Sequence, residues 1–290
     1  MARDVYNDSI NFPGWRRAVQ PVAGPDGGFY GEALTNDKDA VIVAVRGTAD
    51  FTDAIDDLSM APHLDGAGAE AAMKELVAAY CTNFPAHYKD AAQVPVHIAK
   101  RIFHAKSSNF MAPWANRVPE DQARFARVLA LRAYQFCQEK RYKLLCFAGH
   151  SLGGAMSQYL SEQTGPGGVL NIPKKIPAIS FNGPNMGTIS GMRPGHGDIL
   201  CVNSTLDPLS LATKLAGNRD HSTKGYIMVN TLRPTPPPQV SNPPENAEIG
   251  QFTTWFLGAC RRYHGMVELC NALMNEDPGN RLLSSIFNYR

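Results

Sequence analysis

The sequence predicts one α/β domain, in which a mostly parallel sheet carries helices on both faces. Apolar segments rich in strand-forming residues alternate along the chain with amphipathic helical patterns, which is typical of this fold class. Three of the strand segments are nearly continuous apolar runs, as expected for strands covered on both faces. No internal repeat and no compositional break divides the 290 residues, so we expect a single domain over 1–290.

Five segments are predicted to form strands because they are short, apolar and rich in β-branched or aromatic residues. They are "GGFYGEALT" (27–35), "AVIVAVRG" (40–47), "KLLCFAG" (143–149), "KIPAISFNG" (175–183) and "DILCVNS" (198–204). The second, third and fifth are the continuous apolar runs.

Two helices are predicted between these strands. In 119–141 the apolar positions form one stripe, with a proline and two acids at its start and bases at its end. That stripe contains Phe125, Val128, Leu129, Ala133, Phe136 and Cys137. A second stripe follows residue 151, consists of Leu152, Met156, Tyr159 and Leu160, and can end at Gly165.

Composition and charge argue against several classes of partner. The net charge of +2 gives no reason to expect nucleic acid, and no run approaches the roughly 18 apolar residues of a membrane span. The N-terminal "MARDVYNDSINFPGW" lacks an apolar core segment. We therefore expect no secretory signal peptide, and either a cytoplasmic location or export by a leaderless route.

The six cysteines indicate neither a metal site nor a disulfide framework. None forms C-x-x-C or stands at ligand spacing with a histidine, so we expect no metal and no cofactor. Cys146 and Cys201 lie in apolar runs and are predicted to be reduced and buried. A disulfide is expected first, if anywhere, between Cys260 and Cys270.

The segment "GHSLGG" (149–154) predicts a tight turn that presents Ser151 as a nucleophile. In the G-x-S-x-G motif the serine sits on a strained turn between a strand and a helix, with no room for side chains two residues either side. An apolar strand precedes this motif and an amphipathic helix follows it. Leu152 then stands at the helix start, where its N–H can face a developing oxyanion. The alternative is an ordinary serine in a turn.

A nucleophilic serine needs a histidine base and an acid that orients it, and in α/β-hydrolases these follow in the order acid, then histidine. Asp207 follows the buried strand 198–204 at its C-terminal edge, where catalytic groups collect in open α/β sheets. Asp198 starts the same strand and would point to the opposite edge. Asp220 lies in a polar loop. Asp207 is therefore the predicted acid.

Three of the eight histidines lie beyond Ser151. His196 precedes Asp207 in a Gly/Pro turn, so both its order and its context count against it. His221 and His264 both follow Asp207, and chain order alone does not separate them.

Four blocks together resemble the class 3 lipases, the fungal-lipase-like branch of the α/β-hydrolases. They are "VIVAVRGTADFTDAIDDLSM", "FAGHSLGGAM", "SFNGPNMG" and "VNSTLDPLS", and bacterial members begin much like "ARDVYND…GFYGEALTND". The match runs from about residue 3 to about residue 274. The resemblance implies that His264 is the catalytic base and that His221 matches a non-catalytic histidine of the family.

The same resemblance implies two further features. Thr48, the residue after Arg-Gly, would supply the second oxyanion donor beside Leu152. Segment 50–60 occupies the position of the family's lid over the active site. Its apolar residues recur at i, i+3, i+4 and i+7, as in an amphipathic helix, and are Phe51, Ala54, Ile55 and Leu58.

The expected function is hydrolysis of lipid carboxylic esters through Ser151, His264 and Asp207, with an acylglycerol lipase as the first reading. A phospholipase A1, as a leaderless exported effector, or a short-chain carboxylesterase would use the same chemistry. An inactive hydrolase fold that binds a lipid or a partner is the alternative from another class. The proline-rich segment 233–248 is expected to be an irregular surface loop.

Overall fold

The computed structural model describes residues 13–24, 29–47, 120–183, 198–204, 207, 225–229, 258 and 262–276. Within these ranges the chain forms a mixed sheet with helices packed on it, in agreement with the predicted α/β class. No helix among the described residues is long and apolar enough to cross a membrane. The predicted lid, Thr48, His221 and the proline-rich segment lie outside the described residues.

The elements follow the predicted order, and we number them along the described chain. The strands are β1 Arg16–Arg17, β2 Val22–Ala23, β3 Tyr30–Thr35, β4 Ala40–Arg46, β5 Lys143–His150, β6 Ala178–Phe181, β7 Ile199–Ser204 and β8 Gly225–Val229. The helices are α1 Glu120–Lys140, α2 Leu152–Glu162 and α3 Met266–Glu276. All five predicted strand segments and both predicted helices are present. The structure also contains the short strands β1 and β2, strand β8 and helix α3, which the sequence patterns above do not predict.

The sheet has the order β1-β3-β4-β5-β6-β7-β8, and β2 pairs with β3 off this path. The first pairs, β1 with β3, β2 with β3 and β3 with β4, are antiparallel. The remaining pairs, from β4–β5 to β7–β8, are parallel. The carboxyl ends of β5, β6 and β7 therefore meet at one edge of the sheet, where ligands and reacting groups collect in folds of this kind.

Apolar side chains alternate between the two faces of the sheet; among the described helices, α1 and α2 pack on one face and α3 on the other. On β4, Val41, Val43 and Val45 join the core that α1 and α2 cover, whereas Ile42 belongs to the core under α3. On β7, Ile199 belongs to the core under α1 and α2, and Leu200 belongs to the core under α3. Strands that are buried on both faces must be apolar at successive positions, which explains their continuous apolar runs.

The buried face of α1 differs in part from the predicted stripe. Leu129, Ala133 and Cys137 are buried as predicted, but Phe125, Val128 and Phe136 are only partly buried at the margin of the core. The centre of the contact consists of alanines, which are Ala123, Ala126, Ala130 and Ala133. Small residues here let the helix pack close to the sheet, which the hydrophobic pattern alone does not reveal.

Four of the cysteines agree with the predicted reduced state. Cys137, Cys146, Cys201 and Cys270 form no disulfide, and the first three are buried. Burial raises the pKa of the Cys146 thiol to about 12, so it remains protonated at neutral pH. Cys81 and Cys260 lie outside the described residues. Because Cys270 is reduced, the structure does not form the disulfide with Cys260 that was expected first.

The turn between β5 and α2 is packed so closely that two of its glycines have no room for a methyl group. A Cβ atom at Gly149 would lie 2.0 Å from the carbonyl oxygen of Gly153, and one at Gly153 would lie 2.2 Å from the carbonyl oxygen of Val45. Both obstacles are backbone atoms, which cannot rotate away as a side chain can. This close approach of α2 to β4 and β5 is the steric requirement predicted for "GHSLGG".

Gly153→Ala is therefore expected to lower the free energy of unfolding by about 3 kcal/mol, the upper part of the usual range for overpacked sites. The matched control is Gly24→Ala, whose Cβ would meet only ordinary contacts at 3.4–3.5 Å with Phe125 and Phe29. This control should change stability by less than about 1 kcal/mol. Urea unfolding of both variants measures the difference. Equal stability of the two would mean that α2 can move off the sheet without loss.

Candidate active site at the carboxyl edge of the sheet

Ser151 occupies a strained turn between β5 and α2. Its φ of 58° and ψ of −130° lie outside the regions that a residue with a side chain readily adopts. Such a conformation costs roughly 1–3 kcal/mol and persists only where the surroundings impose it. The Ser151 N–H donates to the carbonyl oxygen of Phe181 at 3.0 Å, and the Ser151 carbonyl accepts the first hydrogen bond of α2 from Gly154 at 2.8 Å.

The Ser151 hydroxyl is buried, with 2% of the residue exposed. Its Oγ makes no hydrogen bond within the part of the chain that the structure describes. Leu152 follows as the first residue of α2, where backbone N–H groups have no acceptor within the helix. The turn therefore combines a buried hydroxyl with the electropositive end of a helix.

Asp207 lies just beyond the carboxyl end of β7, as predicted. Its N–H donates to the carbonyl oxygen of Ser204, the last residue of that strand, at 3.1 Å. The residue is fully buried. Asp198, by contrast, directly precedes β7 at the other end of the strand.

His264 and Asp207, which are 57 residues apart in the chain, form a buried hydrogen bond. His264 Nδ1 lies 2.6 Å from Asp207 Oδ1, and both side chains are almost completely removed from solvent. Because a carboxylate oxygen accepts, the proton of this bond is on Nδ1, and in the neutral ring the lone pair is then on Nε2. The structure thus brings the predicted acid and the predicted base together in the tautomer that a general base requires.

The main-chain oxygen of His264 is held from two sides. His150 Nε2 lies 2.7 Å from this oxygen, and Asn182 Nδ2 donates to it at 3.0 Å. The rings of His150 and His264 also pack together, with centroids 4.8 Å apart and planes inclined by 42°. Since His150 directly precedes Ser151, these contacts fasten the segment that carries His264 to the turn that carries the serine.

Asn182 is a residue of the site that the sequence analysis did not single out. It follows β6 with a φ of 45°, a left-handed conformation that asparagine tolerates better than most residues. Its Oδ1 accepts from Ser204 N–H at 2.7 Å while its Nδ2 donates to His264. Asn182 therefore ties the end of β7, and with it the turn to Asp207, to the segment of the histidine. In the sequence, the signal that could have identified this residue is the asparagine before "GP" in "SFNGP".

His150 both packs against its surroundings and forms a hydrogen bond. Burial, together with the neighbouring His264, lowers the pKa of His150 from its ordinary 6.5 to about 3. The hydrogen bond to the carbonyl of His264 opposes this lowering but does not outweigh it. His150 is therefore neutral near pH 7, and because a carbonyl oxygen only accepts, its proton is on Nε2.

Several predicted site residues remain outside the described residues. Thr48, the lid residues Phe51, Ala54, Ile55 and Leu58, and the alternative base His221 all belong to this group, so their roles stay predictions. In the described part of the chain, no group of three or more histidine, cysteine or acidic side chains is placed to hold a metal ion.

Comparison with solved structures finds distant likenesses to this chain, one of them to a lipase. No protein-family model matches the sequence, and no curated protein matches it. The crystal structure of Lip2 lipase from Yarrowia lipolytica resembles this chain over 79% of its length and 75% of the length of Lip2, with 10% sequence identity and a TM-score of 0.40. A likeness at this level does not identify a family, and it says nothing of the activity of this chain.

The neutral state of buried His150 makes stability depend on pH. As the pH falls through about 6.5 the unfolded chain binds a proton at this ring, whereas the folded protein does not until about pH 3. The unfolded state then binds more protons, so stability falls with falling pH in this window. Between about pH 7.5 and about pH 5 the loss from this residue is expected to be about 2 kcal/mol.

Glutamine at position 150 cannot titrate. The free energy of unfolding of His150→Gln should therefore fall about 2 kcal/mol less than that of the wild type between about pH 7.5 and about pH 5. Urea unfolding of both proteins at the two pH values measures it. Parallel curves for the two proteins would show that His150 is not buried in a neutral form.

Proposed function

We propose that this protein is a serine ester hydrolase that cleaves lipid carboxylic esters, in the first place those of acylglycerols. The observation that carries the proposal is the buried 2.6 Å hydrogen bond between His264 and Asp207. This bond joins two residues that are distant in the chain. His150 connects His264 to the strained turn that carries Ser151. A hydrogen-bonded acid and histidine beside an elbow serine is the arrangement that activates a serine for acyl transfer.

In the proposed reaction His264 Nε2 takes the proton of the Ser151 hydroxyl, and Oγ attacks the ester carbonyl carbon. Asp207 keeps the imidazole oriented and stabilises the imidazolium that forms. The C–O bond to the leaving alcohol then breaks, and His264 returns the proton to that oxygen. Water, deprotonated by the same histidine, hydrolyses the acyl-enzyme and releases the carboxylic acid. The reaction as proposed uses no metal and no cofactor.

The negative oxygen of the tetrahedral intermediate needs hydrogen-bond donors. We assign this role to the main-chain N–H of Leu152, which stands at the start of α2, and to that of Thr48. The assignment of Thr48 rests on the resemblance to the class 3 lipases. Removal of one such donor from a hydrolase typically costs 10²–10³ in rate, about 3–4 kcal/mol.

The preference for lipid esters rests on the same resemblance. An amphipathic segment 50–60 with Phe51, Ala54, Ile55 and Leu58 on one side would cover the site as a lid and expose an apolar face at a lipid interface. The proposed partner is therefore a lipid ester, either free or at a membrane surface, and not nucleic acid.

The proposed nucleophile and base are tested by intact mass after treatment with a long-chain fluorophosphonate. Wild type should gain one adduct and Ser151→Ala none. His264→Ala and Asp207→Asn should react about 10²–10⁴-fold more slowly, since they lose the general base or its orientation. His221→Ala is the matched control and should react like wild type. Loss of labelling in His221→Ala with retention in His264→Ala would exchange the roles of the two histidines.

The substrate class is tested by hydrolysis rates on three kinds of ester: a chain-length series of soluble esters, an acylglycerol emulsion and phosphatidylcholine vesicles. We expect long chains and the emulsion to be preferred because the proposed lid would expose an apolar face there. Release of the sn-1 acyl chain from phosphatidylcholine as the fastest reaction would make the protein a phospholipase A1. Activity confined to short chains would make it a carboxylesterase, and a wild type that neither labels nor hydrolyses would favour a lipid- or partner-binding role.

A further inference from the structure

We propose that His150 is a positioning residue, whose Nε2–H fixes His264 in place relative to Ser151. This inference deepens the proposed function and rests on it, since it assigns a role to a residue that touches the proposed base but takes no proton itself. In the sequence, His150 is only the variable position of G-x-S-x-G. In the structure, it is the contact between the serine turn and the segment of the base.

The hydrogen bond between His150 and His264 has only one possible direction. The acceptor, the carbonyl oxygen of His264, can only accept, so His150 must donate from Nε2 at 2.7 Å. The same oxygen accepts from Asn182 at 3.0 Å. Two donors from different strand ends occupy the two lone pairs of this carbonyl, and this holds the peptide of His264 in one position.

His150 also stands next to the proposed nucleophile in the chain. It is the last residue of β5, and one peptide bond separates it from Ser151. The turn itself is held by the packing of Gly149 and Gly153 and by the hydrogen bond from Ser151 N–H to Phe181. One peptide bond and one hydrogen bond thus connect the proposed nucleophile with the peptide of the proposed base. A displacement of about 1 Å at such a site can reduce the rate about 10²-fold.

The charge of the His150 ring also affects the proposed base. The His150 ring lies 4.8 Å from the His264 ring, which becomes positively charged when it accepts the serine proton. A second cation at this distance would oppose that step, because like charges repel strongly in a buried site. The lowered pKa of His150 keeps its ring neutral. His150 therefore donates a hydrogen bond without adding charge next to the base.

The test compares substitutions at His150 that keep or remove the donor. Gln can present Nε2 at the same number of bonds from the backbone as His, Asn is one bond too short, and Leu has no donor. Using a soluble ester, we expect His150→Leu and His150→Asn to lower kcat about 10²-fold with little change in KM, and His150→Gln to recover most of the rate. Cys146→Ala, four residues before His150 on β5 and buried in the core under α3, is the control for lost packing and should keep the wild-type rate.

A double-mutant cycle shows whether the effect acts through His264. In the His264→Ala background, His150→Leu should cause no further loss in the rate of fluorophosphonate labelling, because the group that it positions is absent. An equal loss in both backgrounds would show that His150 supports the serine turn alone, and would overturn the inference. If His150→Leu does not fold, the comparison of Gln with Asn at the same position decides the question.

Failure of this inference and failure of the proposed function give different results. A wild type that takes no fluorophosphonate at Ser151 overturns both. A wild type that is labelled, with His150→Leu and His150→Asn labelled at the same rate and with unchanged kcat, overturns only the role of His150.

Discussion

The main-chain oxygen of His264 is the point at which the C-terminal segment is fastened to the sheet, and the geometry of the candidate site depends on it. His150 at the end of β5 and Asn182 after β6 both bind this oxygen, and Asn182 also binds the end of β7. Two neighbouring strand ends therefore bind one peptide, and Asn182 links it to the end of a third strand. Asp207 adds a third contact to His264, through its imidazole.

These polar contacts are effective because apolar packing on both faces of the sheet removes them from water. Helix α3, which begins two residues after His264, packs Met266 and Leu269 against the face opposite α1 and α2. Hydrogen bonds between buried polar groups are stronger in such surroundings, and leaving any member unpaired is correspondingly costly. The packing of α3 and the hydrogen bonds of His264 thus support each other.

The strained turn at Ser151 shows where local preference and the whole fold disagree. A serine at a φ of 58° is unfavourable by itself, and an alanine in place of Gly149 or Gly153 would be compatible with an isolated helix or strand. The close approach of α2 to β4 and β5 imposes the conformation and excludes every side chain at both glycines. Conflicts of this kind concentrate at functional sites, because a reacting group must be presented in a geometry that the chain would not choose.

The sequence by itself determined the α/β class, the five principal strands, two of the helices, and Asp207 as the candidate acid at the end of β7. These follow from hydrophobic periodicity and from glycine spacing, which are local properties of the chain. Chain order did not decide whether His221 or His264 is the candidate base. The hydrophobic pattern of α1 did not reveal the alanines at the centre of its contact with the sheet. Only the tertiary structure brought His264 to Asp207 and gave His150 and Asn182 a shared acceptor. The physical reason is that these contacts join residues 57 to 114 positions apart, whose meeting depends on strand order and helix packing and not on any local pattern.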